Sequence, residues 1–229
     1  REGRRCFKKL TTLSNGMMKH KNEQNQTPMR SGFVGIIGAP NAGKSTLLNR
    51  LLGEKISITS KKPQTTRNRI LGVLHRPGAQ LVFIDTPGIF KAKDTLNLRI
   101  VDTALAAIDD ADILLFVLDT AKPDPTSESF LADRLQKQNR PVIVALNKID
   151  QVQKSDLLAV IQKWSTQYYF EVIVPISATE GTQMDQLITA MQNMLPTGPP
   201  YFPEDALTDL SERFIAAEMV RESIFRLTG

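Results

Sequence analysis

The chain of 229 residues predicts an α/β protein with a six-stranded, mostly parallel sheet flanked by helices and a C-terminal amphipathic helix. Three observations carry that fold class. From residue 32 onward, short runs rich in Val, Ile, Leu and Phe alternate with longer segments of helical period, the order of a parallel sheet wrapped by its own crossovers. One pair of runs is joined by "HRPGAQ", too short to hold a helix, so one antiparallel hairpin is expected among right-handed crossovers. A glycine-rich loop, "GAPNAGKS" at 38–45, falls between the first apolar run and the first helical one.

Element by element, residues 1–30 come first as a polar tail without sustained period, expected to be disordered. It holds eight Lys and Arg against two Glu, whereas the remaining residues carry 21 bases and 22 acids, so the net charge of +5 is a property of the tail alone. An electrostatic arm for RNA and an organelle transit segment are two readings of it. A vector remnant, or leader sequence upstream of a start at Met18 or Met29, is the reading preferred. Strands are then expected over 33–38, 68–75, 80–85, 112–119, 141–147 and 171–176, and helices over 44–52, about 96–108, 127–138, 155–167 and 184–194. These make one domain, 31–195, and a chain of this size buries roughly 70% of its unfolded surface.

The proline-rich segment 196–210 reads as a linker. Beyond it, Asp209 and Glu212 have capping-box spacing and precede an apolar stripe at Phe214, Ala217, Val220, Ile224 and Leu227. A helix over 211–229 is expected, either packing back on the domain or opening another. No apolar run approaches the ~20 residues needed to span a bilayer. The one cysteine, Cys6, rules out an internal disulfide and fits a reducing compartment.

The loop at 38–45 has a direct physical reading. Glycines let the backbone curl around a phosphate chain, the N–H groups of Asn41, Ala42, Gly43, Lys44, Ser45 and Thr46 point at it, the Lys44 ammonium neutralises β/γ oxygens, and the Ser45 hydroxyl ligates Mg²⁺. A cradle of this kind does not distinguish ATP from GTP. "NKID" at 147–150 follows a strand and supplies the discrimination: the Asp150 carboxylate matches the N1–H and exocyclic amine of guanine, a donor pair adenine lacks. Asn147 would hold neighbouring loops and reach the base, and the stem of Lys148 would cover one ring face. "SAT" at 177–179 follows the last strand, where Ser177 precedes an Ala178 N–H able to donate to the guanine O6. Three elements at strand ends, in this order, favour GTP over an ATP-dependent kinase.

With these motifs in view the chain resembles the translation-factor-related P-loop GTPases, and among them the Era family. The resemblance covers about residues 31–229. It rests on "GAPNAGKSTLLNRLLGEKISITS", "PQTTRNRILGV", "FIDTPGIF", "NKID", "PISA" and, most specifically, "YFPEDALTD" leading into "ERFIAAEMVRE". It implies that "QTTR" is a switch motif in which Thr66, more than its neighbour Thr65, completes the Mg²⁺ shell and senses the γ-phosphate. Asp85 would hold Mg²⁺ through a water and the Gly88 N–H would bond the γ-phosphate, so that hydrolysis releases the switches. Ile89 stands where many such enzymes carry a water-positioning glutamine. Isoleucine neither orients nor deprotonates water, and relatives with a Pro-Asn-x-Gly-Lys-Ser loop use the asparagine to help bind K⁺ between the phosphates. Asn41 is therefore assigned a K⁺-assisted catalytic role beside Lys44, Thr66 and Gly88. Arg67 and Arg69 are alternative cation donors, read more simply as solvent-facing strand charge.

The resemblance further implies a slow, Mg²⁺-dependent GTPase acting in small ribosomal subunit assembly. The family's KH domain binds the 3′ region of the small-subunit rRNA, and here only its first helix is expected, so weak RNA binding is expected for this chain. The expected location is the cytoplasm, with peripheral association at the inner membrane and organelle targeting by residues 1–30 left open. The alternatives are a GTP/GDP-controlled binding module with negligible hydrolysis, or another ribosome- or tRNA-related GTPase of the same class. His20 and His75 lack partners at metal spacing, and Trp164, Tyr168 and Tyr169 read as packing residues.

Overall fold

The computed structural model describes residues 28–59, 70–86, 109 and 111–227. The switch residues Thr65, Thr66, Arg67 and Arg69, the turn residues Gly88 and Ile89, the helix expected near 96–108, Cys6, His20 and residues 1–27 lie outside the described residues.

The chain runs β1 (Arg30–Gly38), α1 (Lys44–Leu52), β2 (Ile70–Arg76), β3 (Ala79–Asp85), β4 (Ile113–Asp119), α2 (Pro125–Leu135), β5 (Val142–Asn147), a 3-10 turn (Ile149–Gln151), α3 (Lys154–Gln167), β6 (Val172–Pro175), α4 (Met184–Met194) and α5 (Glu212–Leu227). Six strands form one sheet in the order β2-β3-β1-β4-β5-β6. β2 and β3 pair antiparallel across the short hairpin, and every other pairing is parallel.

Strands β3, β4 and β5 are buried along their whole length, which is why they read as continuous apolar runs rather than as alternation. Successive side chains still serve opposite faces. In β4, Ile113, Leu115 and Val117 join Leu47, Leu48, Leu51, Leu187 and Met191 from α1 and α4. Leu114, Phe116 and Leu118 face the other layer with Leu131, Leu135 and Trp164 from α2 and α3. Phe116 and Trp164 meet edge to face at 5.9 Å.

Several boundaries move for local reasons. β1 begins at Arg30, inside the segment assigned to the tail, because the Arg30 guanidinium donates to Leu195 O (2.6 Å) and Asn193 O (3.2 Å) at the end of α4. α2 begins two residues before the expected start, since Asp124 caps it by accepting from the Ser127 N–H (3.1 Å) and Pro125 takes the first turn, where no N–H is needed. Tyr169, expected to pack, is exposed. His75 is engaged at both ring nitrogens, by Ala206 O and the Gln80 amide.

Residues 196–210 do not hang as a loose connection. Gln80, fully buried in β3, donates to Phe202 O (2.8 Å) and accepts from the Tyr201 and Phe202 N–H groups (2.7 and 3.0 Å). The Val73 N–H donates to Leu207 O (2.8 Å) and the Thr208 hydroxyl to Leu71 O, so the segment straps the open edge of β2. Covering an edge in this way removes a row of unpaired backbone groups.

The expectation for α5 needs correction. Its predicted stripe is not what packs: Val220, Ile224 and Leu227 are exposed, the last at 86%. The face turned inward carries Glu222, which is buried, stands 2.7 Å from Lys55 Nζ and accepts from the Thr59 hydroxyl (3.2 Å). A charged anchor on the segment after α1 therefore sets the rotation of the helix, and the apolar period does not.

The β-strand order places β1 between β3, reached one way, and β4, reached the other. This is the switch point at which α/β sheets open a crevice beyond their carboxyl ends. Gly38, Asp85, Asp119 and Asn147 all end strands there. Gly38 is required by the sheet itself, because a Cβ on it would lie 2.4 Å from Val117 O of the adjoining strand.

Candidate functional site

The glycine-rich loop leaves β1 at Gly38 and enters α1 at Lys44. Gly43, with φ 98°, turns the chain into the helix, and a Cβ there would stand 2.2 Å from Asn147 Nδ2. Asn41 also has positive φ, 62°, a conformation asparagine tolerates better than most side chains. The Lys44 side chain folds back over the loop and donates to Gly38 O (3.1 Å) and Ala39 O (2.9 Å). Burial pushes its pKa down to about 8, with the charge of Asp85 acting the other way. Phosphate oxygens match those carbonyls as acceptors and exceed them in charge, so a polyphosphate would favour the cationic form.

Asp85 closes β3 and is fully buried. Its Oδ2 accepts from the Ser45 hydroxyl (2.9 Å) and the Ser57 hydroxyl (3.0 Å), while its Oδ1 is buried with no hydrogen-bond partner. Burial raises its pKa, opposed by Lys44, the two hydroxyls and the Thr86 N–H. A buried carboxylate oxygen without a donor suits a hard, oxygen-preferring cation such as Mg²⁺. Ser45 stands beside the same position, its hydroxyl donating to the other oxygen of the carboxylate. Among the described residues no group of three His, Cys, Asp or Glu side chains could hold a metal by itself. A Mg²⁺ bound here would take part of its shell from phosphate.

The base loops are tied to this cradle by two side chains, Asn147 and Lys148. Asn147, at the end of β5 and 2% exposed, donates to Ala42 O (2.9 Å) and accepts from the Ala178 N–H (3.0 Å). Its own carbonyl accepts from Thr120 N (3.0 Å) and the Thr120 hydroxyl (2.7 Å). The Ala178 N–H assigned to guanine O6 is thus directed at Asn147 Oδ1, and a base oxygen would have to share it. Lys148, in the left-handed region at φ 67°, sends its ammonium to Asn41 O (2.9 Å) and to the Asp119 carboxylate. Asp150 is exposed, and its pKa is lowered chiefly by a hydrogen bond from the buried Ser177 hydroxyl. That serine accepts from Glu180 N (3.1 Å), leaving its proton for the carboxylate. A charged, oriented carboxylate at the site mouth is what a paired N–H donor such as guanine requires.

The structure brings Asn41, Ala42, Gly43, Lys44, Ser45, Thr46, Asp85, Asn147, Lys148, Asp150, Ser177 and Ala178 to one end of the sheet. Four further residues belong to it without having been singled out from the sequence. Asp119 holds Lys148 and accepts from the Ala121 and Lys122 N–H groups (3.0 and 2.9 Å). Arg50 donates to Ala178 O (3.0 Å) and to Thr179 O. Ser57 donates to Asp85, and Asn49 holds the backbone of Ser57. Only Asp119 had a legible signal, as an acid ending an apolar strand beside the cradle.

Comparison with known proteins agrees with this geometry. A family model described as 50S ribosome-binding GTPase matches residues 33–148. GTPase Era of Geotalea uraniireducens is 53% identical over 199 residues, which cover 87% of this chain and 67% of that protein. The chain belongs to the Era family of GTPases. Among solved structures, Era in complex with MgGDPNP and nucleotides 1506–1542 of 16S ribosomal RNA is 44% identical, with a TM-score of 0.78 over 85% of this chain and 66% of that one. An Aquifex aeolicus Era variant bound to GDP·AlF4⁻ gives 44% identity and 0.77 over the same shares. The chain spans about two thirds of the length of these Era proteins. Membership in the Era family makes it a GTP-binding, GTP-hydrolysing protein, and the cradle around Lys44 and the carboxylate of Asp150 lie at the same end of its sheet. Among the described residues no helix is long and apolar enough to cross a membrane.

Proposed function

We propose that this Era-family chain is a slow, Mg²⁺-dependent GTPase switch whose charge neutralisation at the phosphates is completed by K⁺, and that it acts on the small ribosomal subunit through its rRNA. The observation that carries the nucleotide part is Asn147, whose amide joins the phosphate cradle at Ala42 to the base loop at Ala178. A ligand that needs both ends at once, a guanine nucleotide, is the natural occupant. When bound, Mg²⁺ supplies charge neutralisation to the β- and γ-oxygens, and Ser45, Asp85 and, by family resemblance, Thr66 are the residues that would hold it. Lys44 orients and neutralises the transferred phosphoryl group, and the loop N–H groups donate to the phosphate chain. Asn41 is exposed at the crest of the cradle, where its amide oxygen is a donor suited to K⁺. Gly88 is assigned the γ-phosphate contact on the family motif alone.

The rRNA part rests on the Era solved with MgGDPNP and a 16S rRNA segment. A cytoplasmic location belongs to the same reading.

The decisive test is GTP turnover in KCl and in NaCl at matched ionic strength, for the chain, Asn41→Ala and Asp150→Asn. K⁺ stimulation that disappears in Asn41→Ala, with GTP use weakened in Asp150→Asn, is expected. Equal and very slow turnover in both salts despite tight GTP binding would replace the K⁺-assisted mechanism with a binding switch that needs a partner for hydrolysis. Filter binding of the 3′ segment of 16S rRNA, with GTP and with GDP, tests the RNA part separately.

A further inference from the structure

We infer that Ser57, seated by Asn49, is a positioning residue for the Asp85 carboxylate and so for the divalent cation that accompanies the nucleotide. The inference rests on the reading of Asp85 as a Mg²⁺ residue. Ser57 is 1% exposed, and its hydroxyl donates to Asp85 Oδ2 at 3.0 Å. Residues 53–59 contain neither helix nor strand, and the buried Ile56 and Ile58 anchor the segment by packing alone. Asn49 adds the directional contacts. Its Oδ1 accepts from the Ile56 and Ser57 N–H groups (3.1 and 2.9 Å), and its Nδ2 donates to Ser57 O (2.7 Å). The amide thus engages both backbone groups of residue 57 and fixes the backbone from which its hydroxyl reaches Asp85.

Ser45 and Asn49 are four residues apart on α1, hence on one helical face. A single helix therefore delivers two hydroxyls to the same oxygen, Ser45 by itself and Ser57 through Asn49. Two donors on Oδ2 stop the carboxylate from rotating and leave Oδ1, buried and without a donor, as the oxygen committed to an outside partner. Without Ser57, Oδ2 keeps one donor and the carboxylate can turn to share its oxygens, which weakens its hold on a cation without touching the nucleotide contacts.

The test is dissociation of methylanthraniloyl-GDP as free Mg²⁺ is titrated upward from a chelator-buffered start, a binding readout independent of turnover. Wild-type protein should release the nucleotide more slowly as Mg²⁺ rises. Ser57→Ala should need about tenfold more Mg²⁺ for half the effect, the loss of one hydrogen bond to a charged acceptor, while its release rate in chelator stays at the wild-type value. Asn49→Ala should move the same way, and Ser57→Thr, which keeps the hydroxyl, should restore the response. If Ser57→Ala does not fold, Asn49→Asp carries the test in the same direction, because it keeps the acceptor for both N–H groups and loses the donor to Ser57 O. A Mg²⁺ response in Ser57→Ala that superimposes on wild type overturns the inference, as does equal weakening with and without Mg²⁺. A wild-type protein indifferent to Mg²⁺ would overturn the reading of Asp85 itself.

Discussion

Truncating Asn147 to alanine should destabilise the protein even with no nucleotide added, because the side chain completes two buried hydrogen bonds between loops far apart in sequence. Ala42 O loses a donor at 2.9 Å and the Ala178 N–H loses an acceptor at 3.0 Å. Each orphaned buried backbone group costs about 1–3 kcal/mol. Taking the middle of that range for both, and allowing for some recovery by water entering the space left, the loss is about 3 kcal/mol. Domains are stable by only about 5–15 kcal/mol, so this is a large fraction. For a chain of this size it corresponds to a fall in Tm of about 6–12 °C. Asn147→Asp should be no milder, since it keeps the acceptor for Ala178 but sets an anion against Ala42 O. Circular dichroism melts of nucleotide-free protein, followed by GDP titration, separate the two consequences. A Tm within about 1 °C of wild type together with weakened GDP binding would refute the argument, because Asn147 would then act only on the ligand.

Three further outcomes follow from other parts of the structure. With a pKa near 8, below the ordinary 10.5, Lys44 has lost a proton that the unfolded chain still carries between those values, so nucleotide-free stability should rise with pH across that window and be lost as pH falls through 8. GDP binding restores the cation, so calorimetry in two buffers of different ionisation enthalpy above pH 8 should detect proton uptake that vanishes in Lys44→Met; no uptake in the wild type would contradict the buried, depressed lysine. Gln80→Ala removes three bonds to residues 201 and 202 and should lower stability by about 2–4 kcal/mol in urea. It should also speed proteolysis within 201–206 and leave GDP affinity unchanged, because Gln80 lies at the end of β3 away from the nucleotide. Gly38→Ala drives a Cβ to 2.4 Å from Val117 O, a backbone atom inside the sheet, and should cost about 3 kcal/mol or more, seen as lost soluble protein or a lower urea midpoint.

Strand positions were readable to within about three residues because each apolar run is closed by a residue the strand cannot continue through or by a change of period. The cradle at 38–45 was readable for a different reason: its chemistry is local, made by consecutive backbone groups whose conformation glycine permits. Three features escaped that kind of reading. The strap over β2 depends on Gln80 meeting residues more than 120 positions away. The stripe on α5 has the right spacing, yet the helix is turned by Glu222 meeting Lys55 and Thr59, a pairing across 163 residues in the latter case. Ser57 is an ordinary polar residue in an irregular segment, and only its bond to Asp85, with the two from Asn49 to its backbone, makes it part of the site.

Composition, period and motif spacing were enough to read an α/β sheet, a glycine-rich loop running into Lys44 and Ser45 between the first strand and the first helix, and a carboxylate at Asp150 just past a strand end, since each is written within a few neighbouring residues. The partners of Asn147, the two hydroxyls gathered on Asp85 and the face by which α5 docks were settled by folding. Hydrogen bonds and ion pairs between distant residues depend on distance and direction in space, and a linear pattern of apolar and polar positions carries neither.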